Sequence, residues 1–295
     1  MKITEKNIFE KGILLQLTIG DYNSHQKMSK EQLKELPTEI VRGSYQLFDK
    51  DFKGTLDKIW NYGNQTRMEM GKLSVPFFIH GFDFIPTTNV AKAIEIMEDR
   101  KIVRDSMVDS AAEDYEDAKA IFEERYPDYY NAAKDRYPSK NEFKNKFYMK
   151  YRLFQINTPN AESGMVSPEA YKQEMRKFKE SIDEMKADVV SAIYTELVEK
   201  TKAIQSQCEK GKPNQRTLDN LNQFFQRMDD VYADFIDRKD IKDVANKIRA
   251  QLLGLDAKSL KDSSLAKDEF KRELAKATEQ LKALPDIKLK RALDF

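Results

Sequence analysis

The stretch SPEAYKQEMRKFKESIDEMKADVVSAIYTELVEKTKAIQSQCEKGKP, residues 167–213, decides the architecture of this chain. It opens on Ser167-Pro168-Glu169. The serine hydroxyl can cap a helix, proline suits the first helical position, and glutamate favours the positive end of the helix dipole. Tyr171, Met175, Phe178, Ile182, Met185 and Val189 follow at alternating spacings of four and three, which is a coiled-coil seam. Ile193 and Leu197 continue at spacings of four, a stutter that relaxes a left-handed supercoil. Gly211 suits the position just past a helix end, and Pro213 prevents continuation. A helix of this span reaches about 65 Å.

The sequence then turns back. Thr217 is placed to cap a return helix whose Leu218, Leu221, Phe225, Met228, Tyr232 and Phe235 repeat the seam. Asp237 to Asp240 disturbs the pattern, and Ile241, Val244, Ile248 and Leu252 resume it in a new phase up to Gly254. The short turn makes the two helices antiparallel, so residues 161–255 read as an antiparallel helical-hairpin (coiled-coil) arm. Leu265 to Leu284 predicts a last helix, with Phe270, Leu274, Ala277 and Leu281 on one face. Pro285 stops it before a basic-apolar tail, Ile287 to Phe295, so residues 256–295 form a third segment.

Residues 1–160 read differently. Ile13, Leu15, Leu17 and Ile19 share one face against Gln16 and Thr18, a strand pattern. Ser29 can cap a short helix ending near Pro37. Asp51 to Gly71 carries a helical stripe of Phe52, Leu56 and Ile59. Gly63 within it admits two readings, a close backbone approach or a plain weakening of the helix by about 1 kcal/mol. Val75 to Pro86 is apolar, bounded by prolines, and reads as buried extended chain. A helix follows from Thr87 or Thr88 to Arg125, and its apolar phase slips near Asp105-Ser106, where a bend or break is expected. Arg125-Tyr126-Pro127 and Arg136-Tyr137-Pro138 punctuate the chain around a short helix. Ser139-Lys140-Asn141-Glu142 is a capping box. Phe147, Met149, Tyr151 and Leu153 then alternate with Lys146, Lys150 and Arg152, a second strand that can pair with the first. Asn157 to Val166 is a linker. The expected fold class is mostly α (α+β): a head with a small antiparallel sheet and long helices, plus the arm.

Composition bounds the function. The 295 residues carry 51 basic and 50 acidic side chains, a net charge of +1, which argues against a dedicated polyanion- or membrane-surface binder. Nine prolines and ten glycines, with a mean hydropathy of −0.72, fit long charged helices. Cys208 is the single cysteine, so no intrachain disulfide forms, in keeping with a reducing compartment. The charged start resembles neither a signal nor a transit peptide, and no apolar run approaches the roughly 20 residues of a membrane span. A cytoplasmic protein is expected.

Chemistry-bearing motifs are sparse. His25 and His80 are the only histidines, too few for a three-histidine metal site. His80 reads as a packed or turn residue, and Cys208 as a seam position. Phosphate-cradling loops and the nucleophile elbow are absent from the sequence, so no cofactor and no catalytic or metal ligand is assigned. Pro127-Asp128 with Glu142-Phe143-Lys144 matches the loose pattern of metal-dependent nucleases, but Glu142 is better explained by the capping box. Lys144, Lys146, Lys150 and Arg152 interleave with Tyr148 and neighbouring aromatics, as a single-strand nucleic-acid binder requires. The same alternation equally describes an amphipathic strand with a solvated lysine face.

From Leu47 to Ile156 the order of elements is distinctive. Leu47-Phe48 comes first, then the helix with Leu56 and Ile59. Phe77-Phe78-Ile79-His80-Gly81-Phe82 and Ile85-Pro86 follow, then the long helix. Phe147-Tyr148-Met149-Lys150-Tyr151-Arg152-Leu153-Phe154-Gln155-Ile156 closes it. This order resembles an uncharacterised family of phage, prophage and bacterial proteins, a "domain of unknown function" family. Its genes neighbour those of MoxR-type AAA+ ATPases and von Willebrand A-domain proteins. The resemblance implies an accessory role beside an ATPase and supplies no active-site residues.

The favoured expectation is therefore a non-enzymatic interaction protein, an adaptor or scaffold, with a protein partner such as an AAA+ ATPase. Tyr194, Leu197, Ile236 and Ile241, beside the two irregular places in the seam, are the candidate partner-binding residues. Self-association through the arm is a further expectation. Nucleic-acid binding through residues 143–154 is the alternative, and a nuclease the remote one.

Overall fold

The structure is a computed structural model, describing residues 7–27, 44–155, 167–236 and 238–283. The helix expected at Ser29–Pro37, the linker 157–166 and the tail 287–295 lie outside the described residues. Among the described residues the fold is mostly α, 72% helical, with one four-stranded antiparallel sheet.

In chain order the elements begin with α1 (Ile8–Lys11), β1 (Gly12–Gly20), β2 (His25–Lys27), β3 (Ser44–Gln46) and α2 (Lys50–Gly71). Next come β4 (Val75–Pro76), β5 (Asp83–Pro86), α3 (Val90–Glu113), α4 (Tyr115–Arg125), α5 (Pro127–Ala133), α6 (Lys140–Lys146) and β6 (Tyr148–Phe154). The C-terminal half holds α7 (Pro168–Glu209), α8 (Gln215–Asp230), α9 (Lys239–Leu252), α10 (Ala257–Asp262) and α11 (Ser264–Lys282). The sheet runs β4-β5-β1-β6, with Gly12 opposite Pro86 and Leu15 opposite Asp83, and β2 pairs separately with β3.

The chain divides into two compact units that interleave, and do not follow the linear boundaries at 160 and 255. The first comprises residues 1–15, 71–91 and 153–295, and the second residues 16–70 and 92–152. The division falls inside β1 and inside β6.

In the first unit, α7 fills 42 residues from the Ser167 cap. Its end closes as expected: Gly211 takes φ +67°, the amide of Lys212 donates to Gln207 O, and that of Gly211 to Cys208 O. The return helix is capped by Asn214, not Thr217. The Asn214 side chain accepts from the Arg216 amide, while Thr217 Oγ1 accepts from Gln207 Nε2 at 2.8 Å. The larger correction concerns the arm. α7 and α8 do not stand apart as a two-helix coiled coil. α11 packs along both α7 and α9, and a single core joins Leu197, Phe225, Ile248 and Leu274 to Leu14 and Phe84 of the strands. A wide apolar surface on each helix explains this: Ile193, Tyr194, Thr195 and Leu197 are all buried, which a two-helix seam cannot achieve.

Leu14 shows the same effect in β1. It lies on the face opposite Leu15, yet both are buried, so this end of the strand is covered on both sides. Gly12 is needed there, because a Cβ would overlap the Ile85 carbonyl oxygen and the Phe84 ring. Gly12→Ala is expected to lower stability by about 1–3 kcal/mol through overpacking, read from the urea midpoint.

In the second unit, the core is aromatic. Tyr115 stacks on Phe143 at 4.2 Å between ring centroids and donates its hydroxyl to Pro138 O at 2.8 Å. Phe48, Phe52 and Tyr137 pack around them. The expected break of the long helix falls at Asp114, not Asp105-Ser106. Its buried positions Ala93, Met97, Arg104, Val108 and Ala111 keep one helical phase past residue 105, where an arginine occupies a core position. Gly63 is a close-approach glycine: Ile19 Cγ2 would lie 3.2 Å from a Cβ there.

Candidate functional site

The expected basic-aromatic segment folds as α6 and β6, and the second unit divides it between two surroundings. Lys144, on α6, pairs with Asp109 of α3, whose carboxylate raises the pKa of the ammonium. Lys146 is exposed at the end of α6. Along β6, Tyr148, Lys150 and Arg152 are exposed while Met149 is buried and Tyr151 half-buried. The inner positions are anchored: Tyr151 donates its hydroxyl to Glu98 of α3, which pushes the phenol pKa up. Ile19 of the adjoining β1 sits against Gly63 of α2, and Arg67 reaches its carbonyl oxygen at 3.2 Å.

The outer positions of the two strands meet. The Tyr148 ring lies over Gly20 of β1, where a Cβ would overlap it. The Lys150 ammonium stands 5.4 Å from the centre of the same ring. Thr18 is exposed and Gln16 half-buried. The two-residue period of strands places Gly20, Thr18 and Gln16 beside Tyr148, Lys150 and Arg152 on one face.

The four residues expected to bind a partner are placed otherwise. Tyr194, Leu197, Ile236 and Ile241 are all buried in the core of the first unit. Tyr194 donates its hydroxyl to Leu281 O at 3.1 Å, so even its polar end is consumed by α11. They are packing residues and present no surface.

Besides the isolated exposed Leu253 and Leu265, the first unit leaves a group of apolar residues partly uncovered at the start of α7. Tyr171, Met175 and Phe178 hold the seam positions of its first turns but are only half-buried, whereas from Ile182 onward the seam is closed. Phe178 stacks on Phe9 at 6.0 Å and meets Phe78 edge-on at 5.7 Å. Phe78 is 38% exposed and Ile79 40%, in the turn that Gly81 closes at φ +85°. His80 is exposed in that turn. Charged residues flank the seam, with Lys177 paired to Glu174 and Arg176 to Glu180.

Among the described residues, no group of three His, Cys, Asp or Glu side chains comes together to hold a metal ion. Ser139 and Glu142 form the expected capping box: the Ser139 amide and hydroxyl both donate to the Glu142 carboxylate, whose pKa falls accordingly. No described helix is long and apolar enough to cross a membrane.

Comparison of the chain with protein-family models, with curated proteins and with solved structures finds no match. The functional reading therefore rests on the surfaces themselves.

Sequence reasoning had the seam of α7 but placed its partner surface at the stutter. No sequence signal marked Tyr171 and Met175, because Ile241, Val244, Ile248 and Leu252 carry the return seam over a matching length. Phe78 and Ile79 carried no such signal, because an apolar run between prolines reads as buried.

Proposed function

We propose that this chain is a non-enzymatic interaction protein, an adaptor or scaffold, which receives an amphipathic helix of a protein partner on the first turns of α7. The observation that carries the reading is the open seam of Tyr171, Met175 and Phe178 beside the exposed Phe78 and Ile79. Apolar residues repeating at four and three select a helix, because only another helix inserts side chains at that spacing. Exposed apolar side chains in a contiguous group favour a docking role over scattered surface residues. The family resemblance makes an AAA+ ATPase the first partner to try, in a cytoplasmic setting.

Met175→Glu is the direct test, since it places a charge on the seam without entering the closed core. Binding of a purified MoxR-type AAA+ ATPase, read by interferometry, is expected to fall at least tenfold with an unchanged melting temperature, a loss of about 1.4 kcal/mol or more. Undiminished binding by Met175→Glu removes the seam as the docking surface. A second copy of the chain is the competing occupant, and a solution mass that rises with concentration and reverts in Met175→Glu identifies it.

A further inference from the structure

The outer face of β1 and β6 in the second unit is chemically uniform. Its six positions are Gln16, Thr18, Gly20, Tyr148, Lys150 and Arg152, and none is acidic. Among the described residues no carboxylate lies within ion-pair distance of Lys150 or Arg152, whereas Lys144 pairs with Asp109 and Lys146 lies in the field of Glu142. The strip thus sets two exposed cations, Lys150 and Arg152, beside an exposed aromatic ring on one strand. Tyr148 is 39% exposed, and Gly20 beneath it allows the ring to lie flat along the sheet.

From this strip we infer a binding site for single-stranded nucleic acid, independent of the docking seam on α7. The charge pattern selects a polyanion, and the flat aromatic selects one with planar bases. A base stacks on the open side of Tyr148, displacing the Lys150 ammonium from the ring to a phosphate. Lys146 and Arg152, at either end of the strip, take the phosphates that flank it. Duplex is excluded because its bases offer no free face for stacking, and a sheet with one aromatic makes the recognition tolerant of sequence.

The test is fluorescence anisotropy with labelled oligodeoxythymidylate on the full chain, at several salt concentrations. Three phosphate contacts predict a slope of log K against log salt of about −2. Lys150→Gln with Arg152→Gln, both exposed, is expected to reduce that slope to about −0.7 while leaving the fold intact. Tyr148→Leu is expected to weaken binding about tenfold with an unchanged slope, since stacking does not release counterions. Four results would overturn the site: no binding at low salt, binding indifferent to Lys150→Gln/Arg152→Gln, heparin competing equally against native chain and Tyr148→Leu, or preference for duplex. Either of the last two would mean a generic polyanion surface.

Discussion

Leu197→Ala is expected to cost about 2–5 kcal/mol of stability, because Leu197 is fully buried and its removal leaves a cavity in the shared core of the helices. Had Leu197 lain on an exposed arm, truncation would change stability by about half a kcal/mol or less and would instead weaken a partner. Urea unfolding followed by far-UV circular dichroism separates the two. Ile241→Ala should behave in the same way, since Ile241 belongs to the same core on α9. Neither change is expected to alter binding at Met175, provided the experiment is run where the chain remains folded.

Arg104→Ala should be at least as damaging in the second unit, at about 3–5 kcal/mol. Arg104 is 0% exposed. One guanidinium nitrogen, Nη2, donates to Gly20 O at 2.8 Å and to Asp21 Oδ1 at 2.6 Å, fixing the end of β1 against α3. Its Nε and Nη1 have no hydrogen-bond partner among the described residues, and the group lies 6.0 Å from the centre of the Phe147 ring. Truncation to alanine strands Asp21 and the Gly20 carbonyl and opens a large void. Arg104→Met fills most of that void and removes the two unsatisfied donors, so it should lose distinctly less. Trp60, the single tryptophan, lies on α2 of the same unit and provides a fluorescence reading of its unfolding. Equal losses for alanine and methionine would mean that the ion pair, not the volume, holds the strand end.

These two residues also mark where the sequence was legible and where it was not. The ends of α7 were readable because capping is local: Ser167-Pro168 and Gly211 act through neighbours within a few positions. The capping box at Ser139 and the alternation of β6 were readable for the same reason. What joins α7 to α11 was not, because an apolar stripe states that a surface is covered without naming its cover. Arg104 misled the reading of α3 outright. A charged residue at a core position breaks the apolar period, although the helix runs straight past it to Glu113. The real break, at Asp114, directly precedes the buried Tyr115, whose contacts with Phe143 and Pro138 lie far away in sequence.

The candidate surfaces divide in the same manner. Tyr148, Lys150 and Arg152 could be grouped from the strand period alone. Their setting, with Gly20 under the ring, required the pairing of β6 with β1. Tyr194, Leu197, Ile236 and Ile241 were singled out by irregular spacing, and the irregularity reflects helices that are packed on several sides at once.

The docking of a partner helix on the open end of the α7 seam is tested most directly by site-specific photo-crosslinking in the native host. A photoreactive phenylalanine analogue is placed at Met175 in one chain and at Leu197 in another. Crosslinks from position 175 to a different protein, with only intrachain products from position 197, are the predicted result. Intermolecular products from position 197, or none from position 175, would contradict it.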